Sequence, residues 1–249
     1  MRHDDVQIVC GRNPVVELLV SKPQSVDKVF IQRGASGDAI DEVFRLAKDA
    51  SVPVQRVPAA RLASLAGKVR HQGVVALTAA LSYWTLEDVL ARAREAGSPG
   101  RVLFLDRVTD PRNFGAVLRS AAAFGVAGVL VPTQSAAPLN AAAVKASAGA
   151  ALSVPVARVE RPADTLDGLR ELGYWIIGAD GSAERSFAES DWTRPVVIAL
   201  GSEGRGLARD VVNVCDELVA IPIVESVDSL NVSVAAAILM CAAFNGRAR

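Results

Sequence analysis

The sequence VVIALGSEGRG at residues 196–206 joins a continuous apolar run to a glycine-rich turn. Val196–Leu200 contains no polar residue, which is typical of a strand buried on both faces of a parallel sheet. The glycines of the turn permit close approach of the backbone to a ligand, although a tight strand-to-helix turn without a ligand is an alternative. The turn contains neither phosphate-binding pattern, G-x-x-x-x-G-K-[ST] or G-x-G-x-x-G. Glu203 is the residue that a simple turn explains least.

Similar apolar runs recur on both sides of this stretch. Further strands are predicted at residues 102–105, 128–131, 154–159, 175–177 and 218–221, and helices at 114–124, 141–150, 165–172 and 232–244. Continuous apolar strands separated by helices indicate a parallel sheet with helices on both faces. The fold class predicted for this part of the chain is therefore α/β.

The N-terminal part also alternates strand and helix signals. Strands are predicted at residues 6–10, 26–32, 53–57 and 73–78, and helices at 15–20, 39–50 and from residue 85. Asn13 and Pro14 look like a helix cap followed by proline in the first turn. The sequence Ala-Gly-Ser-Pro-Gly at residues 96–100 is typical of a linker. We therefore expect a domain at 1–80, a linker at 81–100 and a second domain at 101–249.

The composition is that of an ordinary globular protein. The 249 residues carry 27 basic and 27 acidic side chains, a formal charge of zero, and 51% are hydrophobic. This excludes a disordered chain and a strongly basic protein. The three cysteines are far apart, which favours neither a disulfide framework nor a zinc site. No apolar stretch approaches the ~20 residues of a membrane span, and no signal peptide is evident, so a cytoplasmic protein is expected.

Polar residues follow several of the predicted strands, where ligands of open parallel sheets bind. The first cluster, residues 106–115, places Asn113 where a helix cap is expected. Arg119 follows six residues later, about 120° around a helix, so the two share a face only if Asn113 precedes the helix. In a third cluster, residues 221–233, Ser229 or Asn231 is expected to cap the last helix. Together with the glycine turn, these strand ends predict a pocket suited to a nucleoside-type ligand.

The three clusters together resemble the three motifs of the SpoU/TrmH class of the SPOUT RNA methyltransferases. The first motif is similar to NFGAVLR at residues 113–119, the second to GSEGRG at 201–206, and the third to Ile221-Pro222 with SLNVSVA at 229–235. The N-terminal sequences GRNPV at 11–15 and HQGVVA at 71–76 resemble the substrate-binding domain of the bacterial 23S rRNA guanosine 2′-O-methyltransferase group (RlmB-like). This group usually has Asn before His-Gln-Gly, whereas this chain has Arg70.

The resemblance implies transfer of a methyl group from S-adenosylmethionine to a ribose 2′-hydroxyl of RNA, without a metal. In this family, the arginine that matches Arg119 is thought to remove the proton of the attacking hydroxyl. Because arginine is normally protonated, orienting the hydroxyl and stabilising the developing oxyanion is the alternative role, and the base role stays open. Glu203 is expected to orient Arg119 through a charge-assisted pair. The catalytic residues implied in this way are Arg119, Asn113, Glu203, Ser229 and Asn231.

The resemblance also implies where the cofactor and the RNA bind. The expected cofactor-binding residues are Gly201, Ile221, Leu230, Ala179, Leu200, Ser229 and Asn231. The expected RNA-binding residues are Arg12, Arg33, Arg56, Arg61 and Arg70, which belong to a region, residues 1–80, with 11 basic and 8 acidic side chains. By resemblance alone, the catalytic domain contains a C-terminal trefoil knot and the protein is a homodimer.

Several functions remain alternatives at this point. The RNA target implied is a guanosine of large-subunit rRNA, with tRNA or another rRNA nucleotide as the alternative within the class. A protein that binds RNA during ribosome assembly without catalysis is the alternative from another class. A metabolic enzyme that binds a nucleotide is disfavoured, because both phosphate-binding patterns are absent.

Overall fold

The computed structural model describes residues 6–67, 69–79, 82–95, 100–224 and 226–246. The chain forms two compact units, one of Met1–Ser82 with Leu139–Ser153 and one of Tyr83–Pro138 with Val154–Arg249. Of the predicted linker, residues 81–100, only residues 81 and 96–99 lie outside the described residues. The predicted helix from residue 85 is present, and Thr85 and Asp88 cap it reciprocally through side chain and backbone.

The first unit is an α/β structure on a mixed sheet. Its strands are β1 (Val6–Cys10), β2 (Val26–Gln32), β3 (Val54–Val57) and β4 (Val74–Ala79), and its helices are α1 (Arg12–Ser21), α2 (Asp38–Asp49), α3 (Ala59–Ala66) and α6 (Ala141–Ala146). The strand order is β1-β4-β2-β3. β4 is antiparallel to both of its neighbours, whereas β2 and β3 are parallel.

Three local predictions in this unit differ from the structure. The first helix begins at Arg12 after Gly11, so Asn13 lies inside the helix and does not cap it. α3 was not predicted; it buries Leu62 and Ala66, which lie one turn apart. The helix predicted over 141–150 ends at Ala146, because the Ser147 hydroxyl bonds to the backbone and Gly149 turns left-handed at φ 100°.

The second unit is built on a six-stranded parallel sheet. Its strands are β5 (Arg101–Leu105), β6 (Gly128–Pro132), β7 (Val156–Val159), β8 (Trp175–Ala179), β9 (Val196–Leu200) and β10 (Glu217–Val219). Its helices are α4 (Leu86–Glu95), α5 (Pro111–Ala123), α7 (Pro162–Glu171), α8 (Arg209–Val214) and α9 (Val232–Asn245). All neighbouring strands are parallel, and β5, β6 and β9 are buried along their whole length. This confirms the predicted α/β class.

The strand order β10-β8-β9-β5-β6-β7 positions the candidate site. From β5 the chain proceeds outward to β6 and β7 on one side, and then fills the other side with β8, β9 and β10. The order therefore reverses between β5 and β9, and crevices at such points hold the ligands of open α/β sheets. The C-terminal trefoil knot stays a prediction. Within the described part of the chain, no helix has both the length and the apolar character needed to cross a bilayer.

Candidate active site

One side chain from each of the three sequence clusters meets at the crevice. The Asn113 amide donates to the Glu203 carboxylate over 3.1 Å, and the Asn231 amide donates to the same oxygen over 2.5 Å. The Asn231 amide also lies 3.1 Å from the Asn113 carbonyl oxygen. Residues that are separated by up to 118 positions in the chain thus form one hydrogen-bonded triad. The prediction that the three clusters converge is confirmed for these residues.

Asn113 is available for this triad because another residue caps its helix. Asp110 is the N-cap of α5: its carboxylate accepts from the Arg112 N–H over 2.9 Å, and Pro111 occupies the first turn. The prediction that Asn113 caps the helix is wrong, since it lies inside the first turn. Its amide is free of the backbone and reaches Glu203 instead.

Asn231 serves both its helix and the triad. Its carbonyl oxygen accepts from the backbone N–H of Ser233 over 2.9 Å, so it is the N-cap of α9, as predicted. Its amide faces Glu203, and the Val232 N–H adds a longer 3.4 Å contact to the same carboxylate. The negative charge therefore lies at the positive end of a helix dipole. Ser229 is exposed two residues earlier, and its role stays a prediction.

The glycine turn that carries Glu203 closes on itself. The Gly206 N–H donates to the Ser202 carbonyl over 2.9 Å, and Gly204 and Gly206 have φ of 77° and 60°. A β-carbon at Gly201 would lie 1.9 Å from the carbonyl carbon of Gly206. Glycine at this position is required because the two backbone segments touch.

A buried carboxylate next to the turn holds its far end in place. Asp106, at 3% exposure, accepts a 2.7 Å hydrogen bond from the Ala208 N–H and forms a 3.1 Å ion pair with Arg107. Arg107 has a left-handed backbone, φ 56°, and donates to the Gly206 carbonyl over 3.2 Å. Asp106 and Arg107 belong to the first sequence cluster, but neither was predicted to have a role. A polar residue directly after a buried strand was the available signal.

Arg119 forms no hydrogen bond or ion pair with the triad. α5 buries Phe114, Leu118 and Ala121, whereas Arg119 is on the exposed side, about 120° around the helix from Asn113. Within the described residues its side chain has no hydrogen bond or ion pair. The expected pair between Arg119 and Glu203 is therefore not formed within the chain, and the two amides share one oxygen of the carboxylate.

The backbone positions predicted to bind the cofactor lie at or after the ends of β8, β9 and β10, except Leu230, which precedes α9. Leu200 is buried, and the other backbone positions are half-buried: Ala179, Gly201, Ile221 and Leu230. The loop after β10 also exposes apolar side chains, with Val224 at 67%. Exposed apolar groups beside half-buried backbone groups fit a ligand with an apolar ring and polar edges, such as adenosine.

The five arginines predicted to bind RNA belong to the first unit but are not equivalent. Arg12, Arg33 and Arg70 line one cleft. Arg56 donates to the Ala35 carbonyl over 3.3 Å and stacks 4.9 Å from the Phe44 ring. Arg61 is exposed on α3. Among the described residues, no three His, Cys, Asp or Glu side chains come together in a group that could hold a metal ion.

Two family models match the chain. The model described as the SpoU rRNA methylase family matches residues 100–241, and the model for RNA 2′-O ribose methyltransferase substrate binding matches residues 8–84. The chain thus belongs to the SpoU rRNA methylase family, a class of RNA methyltransferases.

Related proteins match this chain over nearly its whole length. A Staphylococcus haemolyticus protein described as a TrmH family tRNA/rRNA methyltransferase is 38% identical over 244 residues, which are 98% of this chain and 97% of the relative. A TrmH family RNA methyltransferase structure from Porphyromonas gingivalis has a TM-score of 0.72 at 26% identity, covering 96% and 89% of the two chains. The SpoU methyltransferase AviRb of Streptomyces viridochromogenes, solved in complex with AdoMet, has the same fold: its TM-score is 0.79 at 24% identity, with 98% and 91% covered.

Proposed function

We propose that this protein is a cytoplasmic, homodimeric enzyme that methylates a ribose 2′-hydroxyl of RNA, with a guanosine of 23S rRNA as its target. As a member of the SpoU family it uses S-adenosylmethionine, which supplies an activated methyl group. The observation that carries the proposal is the triad of Asn113, Glu203 and Asn231, which joins the three sequence clusters at the point where the strand order reverses.

The triad gives the crevice a fixed negative group with defined geometry. Glu203 is exposed, and its bonded oxygen accepts from two side-chain amides and lies near the start of α9. A carboxylate held in this way attracts the positive charge of a sulfonium and orients neighbouring donors without reorganising during the reaction. We assign Glu203, Asn113 and Asn231 the role of positioning the reacting groups, with Ser229 beside them at the methionine end of the cofactor.

Arg119 would act on the ribose. Its guanidinium is exposed and has no internal hydrogen bond or ion pair among the described residues, so it is available to the substrate. As a cation it can orient the hydroxyl and stabilise the oxyanion that develops as the proton leaves. The base role is disfavoured, because an arginine side chain is normally protonated.

The decisive experiment is methyl transfer from radiolabelled S-adenosylmethionine to unmodified rRNA, with 2′-O-methyl sites mapped in RNA from cells with and without the gene. We expect one guanosine of 23S rRNA to lose its methyl group when the gene is deleted. A lost site in tRNA would refute the proposed target but not the reaction. No transfer to any RNA would favour the non-catalytic assembly factor.

The variant that tests the role of Arg119 in this assay is Arg119→Ala. We expect it to bind S-adenosylmethionine, measured by calorimetry, and to lose methyl transfer by at least about 100-fold, the effect of removing one oxyanion donor. Arg92→Ala, an exposed arginine on α4, serves as the control and should keep full activity. Near-normal turnover by Arg119→Ala would refute its assignment.

A further inference from the structure

The first unit contains a cleft of about 840 Å³ whose walls come from three separate loops. Arg12 begins α1, residues 32–35 follow β2, and residues 70–73 precede β4. The volume is in the range of pockets that enclose a small ligand. The cleft lies where β2 ends and β4 begins, so two strands of the sheet fix the positions of its walls.

Arg12 is held in a fixed position at the cleft. Its Nε donates to the Gln72 carbonyl over 3.2 Å. Its Nη1 lies 3.7 Å from where a β-carbon of Gly37 would be, and Gly37 has φ 106°. A pre-positioned guanidinium loses less side-chain entropy when it binds an anion than a free one does.

The adjoining loop presents a polar edge. His71 Nδ1 accepts from the Gly73 N–H over 3.0 Å, which leaves Nε2 as the hydrogen-bond donor of the neutral ring. Gln72 and Gly73 both have left-handed backbones, at φ 50° and 82°. A tight left-handed pair at this point brings the imidazole and the Gln72 amide to the same wall as Arg70.

The charge of the cleft is strongly asymmetric. Three arginines line it, and no Asp or Glu is among the lining residues. Within the described part of the chain, the side chains of Arg33 and Arg70 have no hydrogen bond or ion pair to another residue, and both residues are exposed. Surface arginines without counter-charges favour binding of a phosphate, which the guanidinium group holds through two hydrogen bonds.

We propose that this cleft binds an unpaired nucleotide of the RNA substrate, with its phosphate on Arg12, Arg33 and Arg70. The inference rests on the proposed function, since it takes RNA to be the substrate. RNA duplexes are recognised along extended surfaces across the minor groove, whereas proteins take up unpaired bases in pockets, stacked on aromatic or guanidinium planes. Among the described residues no Phe, Tyr or Trp lines the cleft, so the His71 imidazole supplies the stacking plane and the Gln32 and Gln72 amides contact the base edge.

The test uses the full-length protein and two fluorescent probes of equal length, a 12-nucleotide oligouridylate and a 12-base-pair RNA duplex. Binding is measured by anisotropy between 50 and 300 mM salt. Wild-type protein should prefer the single strand. Arg12→Gln, Arg33→Gln and Arg70→Gln should each weaken that binding about tenfold, and each should reduce the salt slope by about 0.7 per lost phosphate contact.

Arg45→Gln is the matched control. Arg45 is an exposed arginine of the same unit, paired with Asp49 on α2, and it does not line the cleft. This variant should bind the oligouridylate like the wild type. Unchanged binding by the three cleft variants, or a wild-type preference for the duplex that these variants abolish, would overturn the proposal.

Methyl transfer to rRNA, measured on the same preparations, separates this proposal from the proposed function. Transfer with an unchanged KM for rRNA in the cleft variants refutes the cleft while the function stands. Absence of transfer by the wild type, together with loss of oligouridylate binding in the cleft variants, refutes the function while the cleft stands. Circular dichroism of each variant establishes that it is folded.

Discussion

The carboxylate of Asp106 accepts a 2.7 Å hydrogen bond from the backbone N–H of Ala208, 102 residues later in the chain. This bond joins the end of β5 to the residue that follows the glycine turn. Because Asp106 is buried and also paired with Arg107, the turn is held at both ends, by this bond and by the contact of Gly201 with Gly206. The geometry of Glu203 thus depends on a residue that does not touch it.

Asp106→Ala should loosen the turn and weaken S-adenosylmethionine binding. The half-buried Ala208 N–H loses its acceptor, which costs about 1–3 kcal/mol of folding free energy. We expect the order wild type, Asp106→Asn, Asp106→Ala both in the Kd from calorimetry and in the midpoint of thermal unfolding, since asparagine retains one acceptor. Asp210→Ala, at an exposed carboxylate on α8, should change neither quantity. Equal cofactor affinity in all variants would contradict this role.

Substitution of glycine by alanine should reduce the free energy of unfolding by different amounts at two positions of the glycine turn. Gly201→Ala places a methyl group 1.9 Å from the Gly206 carbonyl carbon and should reduce the free energy of unfolding by more than about 3 kcal/mol. Gly204→Ala meets open space but keeps φ 77°, so about 1–2 kcal/mol is expected. Urea denaturation of both variants measures the difference. Similar losses would show that the backbone contact at Gly201 is unimportant.

Because Arg119 forms no bond with the triad of its own chain, we expect the two to meet across the subunits of a dimer. If the site lies close to a subunit interface, Arg119 of one subunit serves the triad of the other. Arg119→Ala and Glu203→Ala homodimers should then be inactive, and co-expressing the two variants should restore about a quarter of wild-type activity, since half of the dimers contain one intact site.

Size-exclusion chromatography with light scattering must first show the dimer. A monomer, or mixed dimers without activity, would place Arg119 and the triad of the same chain in one site. The mixed dimers, which contain one subunit of each variant, can be isolated by giving the two variants different affinity tags.

Two thiols should make stability fall at high pH. Burial raises the pKa of Cys10 to about 11, and burial together with the nearby Asp216 charge raises that of Cys215 to about 12, from an ordinary 9.0. The folded chain retains these protons while the unfolded chain loses them above pH 9. The free energy of unfolding should therefore decrease by up to about 1.4 kcal/mol per pH unit for each thiol as the pH rises from 9 toward 11.

Urea denaturation at several pH values measures this effect. The Cys10→Ala, Cys215→Ala double variant should show a flatter profile than the wild type between pH 9 and 11. Identical profiles would contradict the raised pKa values.

Long apolar runs were the most predictable part of this fold. Val26–Gln32 and Val196–Leu200 have the predicted bounds, and the last helix differs from its prediction by one residue at its end. In each case glycine or a polar residue marks the boundary. Helix starts were less predictable, because Asp110, Asn113 and Gly11 all suit a cap and only the tertiary contacts select between them.

The site was predictable to the extent that its motifs are local. Spacing alone did not bring Asn113 to Arg119, and in the structure they do not meet. The position of Asp106 directly after a buried strand was a signal for its support, but the left-handed backbone of Arg107 has no signal in the sequence. The zero net charge likewise concealed a cleft lined by three arginines and no acidic residue.

The segment Leu139–Ser153 belongs to the first unit although it is encoded within the stretch that matches the methylase family. Its α6 lies beside β1, where the Gln7 amide donates to the Leu139 carbonyl over 3.4 Å, and Gly149 leaves room for Glu17. A gene fragment that stops at Ser82 would therefore encode an incomplete unit. A single genetic breakpoint after Ser82 could therefore not transfer the first unit intact to another enzyme.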